Sequence, residues 1–119
     1  MRFNPNSPPR EFKVGEHLVS IHDFGSIHLD QNEQVTFKRQ SGAEYDVTAK
    51  DWGFYATPSI NGRLLEFGLR TVLVTSTLTY KRYILIVEMG HENSFHSYLK
   101  SESLVIESWL DEAPKFIQD

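Results

Sequence analysis

Apolar and polar side chains alternate with a period of two through much of this chain, the pattern of strands with one buried face. In HLVSIHDF (residues 17–24), Leu18, Ser20, His22 and Phe24 point one way and Val19, Ile21 and Asp23 the other. Gly25 interrupts the run, which continues extended through Ser26–Leu29. Asp30-Gln31-Asn32 is turn chemistry, because Asx side chains hydrogen-bond the nearby backbone. Val35, Phe37 and Arg39 alternate with Thr36 and Lys38, Ser41-Gly42 suits a hairpin turn, and Glu44–Ala49 returns with Tyr45 and Val47 on one face.

The period then changes. Thr57-Pro58 has the form of a helix start, a capping hydroxyl followed by proline at the first helical position. Ile60, Leu64 and Phe67 fall at i, i+4, i+7, and Gly68 is placed to end the element, so the spacing predicts a helix over 58–67. RTVLVTST (70–77) and RYILIVEM (82–89) are β-branched runs around the polar turn 78–81. They predict a hairpin of central strands. Phe95, Tyr98 and Leu99 predict a second amphipathic helix in 91–102, and LVIESWL (104–110) reads as a last strand with Leu104, Ile106, Ser108 and Leu110 on one face, a helix being the alternative for so short a run. The expected fold is α+β: a mostly antiparallel sheet of five to six strands with two short helices packed on one face, in the order βββ-αββαβ.

Composition sets the limits of that domain. The 119 residues suit a single domain over 15–112, with a flexible tail at 1–14, where three of the five prolines lie within nine residues, and a second tail at 113–119 beyond the expected break at Pro114. No stretch approaches the roughly 20 apolar residues of a membrane span, and the N-terminal sequence lacks the apolar middle of an export signal. A soluble, cytoplasmic protein is expected. There are no cysteines, which removes thiolate chemistry and leaves any metal to His and carboxylates. The net charge of −4 disfavours nonspecific nucleic-acid binding. It hides an uneven distribution, since residues 60–87 carry four basic side chains against Glu66 and residues 88–119 carry seven acids against two lysines.

Candidate chemistry is sparse. His91 and His96 in HENSFH are five residues apart, which turns the second ring off the face a helical zinc site needs. His22, Asp23 and His28 are a weak metal set, and no metal or cofactor is expected. No phosphate-binding glycine loop or nucleophile elbow occurs. Tyr80, Lys81, Arg82 and Tyr83 interleave rings with cations and keep single-stranded nucleic-acid binding as a minor alternative.

The densest unusual chemistry is WGFYATPSINGRL, residues 52–64. One reading is structural, with Trp52, Phe54 and Ile60 as core anchors and Gly62 marking a close approach. The other is a ligand site. Trp52 and Tyr55 would form a stacking wall, and Ser59, Asn61 and Arg63 would act beside the N–H groups of a helix N-terminus.

The block EYDVTAKDWGFYATPSINGRL, with RYILIVE and the closing ESWLDE, resembles a family of small uncharacterised bacterial proteins. These are often encoded among surface-polysaccharide (O-antigen or capsule) biosynthesis genes. The resemblance spans about residues 20–112 and carries no known activity. It implies at most an accessory role in sugar metabolism, and the expected function is a non-catalytic binding or accessory module whose partner would be a sugar-related small molecule or an enzyme. The alternative is a small sugar-modifying enzyme using His22, His28 or Asp46 as acid or base.

Overall fold

The computed structural model describes residues 1–113 and is mostly β. Strands hold 53% of the described residues and helices 12%. The strands form three small antiparallel sheets instead of one sheet under two helices, so the α+β expectation is corrected. Contacts divide the chain into two compact units, residues 1–36 with 46–57 and residues 37–45 with 58–119.

The first unit begins where a tail was expected. β1 (Arg2–Val14) pairs antiparallel with β2 (Val19–His28) to make a long two-stranded ribbon. Proline is excluded from a central strand, but a two-stranded ribbon has only edges. Its pairing also skips from Pro5 to Arg10, so Pro8 and Pro9 fall in the irregular stretch where a missing N–H costs no ladder bond. Near the turn the ribbon is amphipathic, with Phe12 opposite Ile21 and Val14 opposite Val19 on one face. Glu11 opposite His22 and Lys13 opposite Ser20 occupy the other face. Gly25 lies at φ 146° beside Asn4, where a Cβ would sit 2.3 Å from the Asn4 carbonyl oxygen. The glycine that interrupts the sequence pattern is what lets the two backbones approach there.

After the Asp30–Asn32 turn come β3 (Gln34–Lys38), β4 (Glu44–Lys50) and β5 (Gly53–Ala56), a three-stranded sheet in that order. β3 and β4 each run from one unit into the other. Within the first unit the Asn32 N–H donates to the Ala49 carbonyl and the Ala49 N–H to the Glu33 carbonyl. Asp46 is buried and accepts a 2.6 Å hydrogen bond from the Thr36 hydroxyl. β5 was not expected. Its register, Lys50 with Gly53 through Val47 with Ala56, makes a tight hairpin whose turn is Asp51-Trp52.

The second unit is built on β6 (Leu69–Ser76), flanked by β7 (Arg82–Glu88) and β8 (Leu104–Trp109). The predicted hairpin and last strand are present, but β6 is central while β7 is an edge. α2 (Glu92–Ser101) lays Phe95 and Leu99 on Val72, Val74 and Val87, leaving Tyr98 exposed. The opposite face of the sheet carries Leu69 and Ile86, packed with fully buried Leu64 from α1 (Arg63–Glu66) and with Ala43. The two helices therefore lie on opposite faces, which corrects the one-face expectation. β8 also breaks its expected alternation. Leu73 pairs with Ser108 and Val74 with Ile106, so Glu107 is an extra, bulged residue and Trp109 takes the core side in place of Ser108. The predicted C-terminal tail lies, beyond residue 113, outside the described residues.

Candidate functional site

The stretch 52–64 divides between the two units. Trp52 and Tyr55 fall on the β4–β5 hairpin of the first, Ser59, Asn61 and Arg63 on the segment entering α1 of the second. On the hairpin the rings stand in solvent: Trp52 is 67% exposed, Phe54 71% and Tyr55 50%. Trp52 and Phe54 are thus not core anchors, and neither is Ile60, which is exposed as well. Phe54 sits opposite Ala49 and Tyr55 opposite Thr48, so the two rings leave opposite faces of the hairpin while Trp52 caps its turn. Gly53, at φ 143° with open space around it, supplies the backbone conformation that this turn needs.

The polar half of the stretch is occupied locally. The helix expected over 58–67 shortens to Arg63–Glu66, with Gly62 and not Thr57 preceding it. Thr57 instead closes the end of β5, its N–H and hydroxyl both donating to the Asp46 carbonyl. The Ser59 hydroxyl accepts the Arg63 N–H at 2.9 Å, and a Cβ on Gly62 would lie 2.6 Å from that same oxygen. Gly62 is there because Ser59 needs the space. The Arg63 guanidinium lies 5.3 Å from the Phe67 ring. One turn of helix with its first N–H groups engaged in this way offers no anion cradle of the kind the sequence suggested.

A pocket of about 500 Å³ opens in the second unit among Ser41, Gly42, Glu44, Glu66, Phe67, Glu88 and Met89. Two of its three carboxylates are paired: Lys38 reaches Glu44 at 3.3 Å, and Arg39 and the His91 ring reach Glu88 at 3.2 and 3.0 Å. Burial works to raise the Glu88 pKa, but hydrogen bonds from Arg39 and Ser41 and the charge of His91 bring it below the ordinary value. None of His22, His28 and Asp46, the acid–base candidates, lines this pocket. His22 faces Glu11 across the ribbon at 3.9 Å and His28 contacts Asn4 at 3.2 Å. Among the described residues no group of three or more histidines and carboxylates is placed to hold a metal ion.

Two clusters escaped the sequence reading. Arg82 grips Glu107 with both ends of its guanidinium, at 2.9 and 2.6 Å, and the Thr75 hydroxyl donates to the same carboxylate. Arg70 forks onto Asp111 at 2.6 and 2.9 Å and lies 3.9 Å from the centre of the Trp109 ring, which meets Phe95 edge-on at 5.9 Å. Both tie β8 into its sheet. Neither has a local sequence signature, since the partners are 25 and 41 residues apart.

Compared with known proteins, the chain matches no family model, no curated protein and no solved structure. No helix among the described residues is long and apolar enough to cross a membrane.

Proposed function

We propose that this protein is a non-catalytic binding module that takes a sugar-bearing small molecule, as an accessory to bacterial surface-polysaccharide metabolism in the cytoplasm. The observation that carries the reading is the trio of solvent-exposed rings, Trp52, Phe54 and Tyr55, on one tight hairpin. Large rings are normally withdrawn from water, and a ring held in solvent at a hairpin tip, as Trp52 is, is open to a ligand. A pyranose presents an apolar C–H face that stacks on such a ring, and the hairpin ladder holds the rings in place without ordering them at binding. The surface-polysaccharide setting rests on the sequence resemblance of residues 20–112 alone. Acid–base catalysis has less support, because His22, His28 and Asp46 do not converge.

The test is calorimetric titration of nucleotide sugars and free hexoses into the wild-type chain and into Trp52→Ala. Loss of one stacked ring should weaken binding by about tenfold, while the melting temperature stays close to wild type because the ring is exposed. Unchanged affinity would remove the hairpin as the site. A melting temperature lowered as far as by a core truncation would show that Trp52 is structural after all.

A further inference from the structure

The two edges of the β7-β6-β8 sheet are protected very differently. Natural edge strands are blunted by bulges, prolines, inward charges or short length, because an open edge is a template for pairing with another chain. β8 has such a device, its Glu107 bulge. β7, sequence RYILIVE, has none: it is seven residues long, contains no proline, pairs with β6 in unbroken register and is charged only at its two ends. Among the described residues no strand lies against its outer side.

The ladder fixes which groups that edge presents. The Met89 N–H donates to the Gly68 carbonyl and the Ser76 N–H to the Lys81 carbonyl. With the pairs running from Leu69–Glu88 to Thr75–Arg82, the odd-numbered residues of β7 exchange hydrogen bonds with β6. The N–H and C=O groups of Arg82, Ile84, Ile86 and Glu88 therefore point outward, although the Glu88 carbonyl already accepts the His91 N–H.

From this we infer that β7 pairs antiparallel with β7 of a second copy of the chain, about a two-fold axis through Leu85. The strand is self-complementary in that register and no other. Ile84 faces the partner's Ile86, and on each side of the axis these two exchange both N–H···O bonds. Tyr83 faces the partner's Val87, and Arg82 lies opposite the partner's Glu88 at both ends, so no like charges are opposed while each keeps its own partner, Glu107 for Arg82 and Arg39 and His91 for Glu88. Sliding the register by two residues sets one charge against an isoleucine, Glu88 against Ile84 or Arg82 against Ile86, and leaves the other opposite a residue beyond the end of the strand. Ile84, 54% exposed, and Tyr83, nearly half exposed, are the side chains that gain cross-strand neighbours. An isologous contact of this kind closes on itself and gives a dimer, not a fibre.

Sedimentation equilibrium of the wild-type chain should give a dimer. Ile84→Lys places a charge at the centre of the seam and should weaken association by at least about tenfold, with the far-UV spectrum unchanged. The deciding experiment uses the absence of native cysteine. In Leu85→Cys the two introduced thiols face each other across a non-hydrogen-bonded pair, where Cα atoms lie about 4.5 Å apart and within disulfide range. Mild oxidation should cross-link this variant nearly completely and leave Tyr83→Cys uncross-linked. A wild-type chain that sediments as a monomer overturns the inference. So does a dimer in which the Leu85→Cys variant fails to cross-link or the Tyr83→Cys variant links equally well.

Discussion

Arg70 and Asp111 offer the sharpest test of what holds β8 to its sheet. The Asp111 side chain is 3% exposed and its two oxygens take the two arms of the guanidinium, so removal of Arg70 leaves a carboxylate out of water with its partner gone. Breaking a fully buried pair from one side costs about 3–5 kcal/mol. Arg70 itself is 32% exposed, so water can enter where it stood, and the low end, about 3 kcal/mol, applies to Arg70→Ala. The cation over the Trp109 ring adds to that loss about 0.5–2 kcal/mol. A single substitution cannot separate the pair from the packing of the arginine stem. A double-mutant cycle with Asp111→Ala can, because the stem's contribution appears in both arms and cancels. Urea unfolding followed by far-UV circular dichroism should give a coupling energy of about 2 kcal/mol, several times that of an exposed ion pair. If the two substitutions add to within about 0.5 kcal/mol, the pair behaves as an ordinary surface contact and the clamp reasoning is wrong.

Thr71 on β6 is buried, and its hydroxyl has no hydrogen-bond partner among the described residues. Thr71→Val keeps the shape and removes the stranded hydroxyl, so it should raise stability by about 1 kcal/mol in the same urea assay; a loss would mean that the hydroxyl is satisfied. The acid limb of stability should come from carboxylates held below their ordinary values, Glu107 by hydrogen bonds from Arg82 and then Thr75, and Glu92 by the backbone N–H of Gly90. A group depressed in the folded state contributes stability that is complete above the ordinary value of 4.5 and is lost as pH falls through the depressed one. The melting temperature should therefore change little from neutrality to about pH 5 and fall below that, less steeply in Glu107→Gln. An equally steep fall in that variant would remove Glu107 from the account.

The strands with clear alternation or β-branched runs were legible because their pattern is local. The ends of elements were not, because competing partners set them. Thr57-Pro58 is a sound helix-start signal on its own. Here the Asp46 carbonyl, eleven residues earlier, takes both Thr57 donors, and the helix waits until Ser59 can accept the Arg63 N–H. The prolines of residues 1–9 read as a tail because a central strand excludes them, whereas a ribbon made only of edges admits them at its irregular stretch. On β8 the alternation failed at one residue. The bulge at Glu107 shifts every later side chain by one, which is why Trp109 packs inward although parity assigned that face to Ser108.

The candidate site divides along the same line between local and non-local causes. Trp52 and Tyr55 could be picked out from residue type, but their burial could not, because burial depends on what packs against a segment. Counting aromatic residues as core assumed that a covering layer existed. The signal that would have corrected this is Lys50-Asp51-Trp52-Gly53, a turn tetrad that sets Trp52 at a hairpin tip, where little can cover it. Gly62 was read as marking a close approach, and what approaches it is a hydroxyl three residues away. In Gly25, Gly53 and Gly62 alike the absent side chain is explained by the chain's own backbone or by a neighbouring serine. The exposed rings have no such internal explanation, and that asymmetry is why the functional proposal rests on them and not on Ser59, Asn61 and Arg63, the polar half of the same stretch.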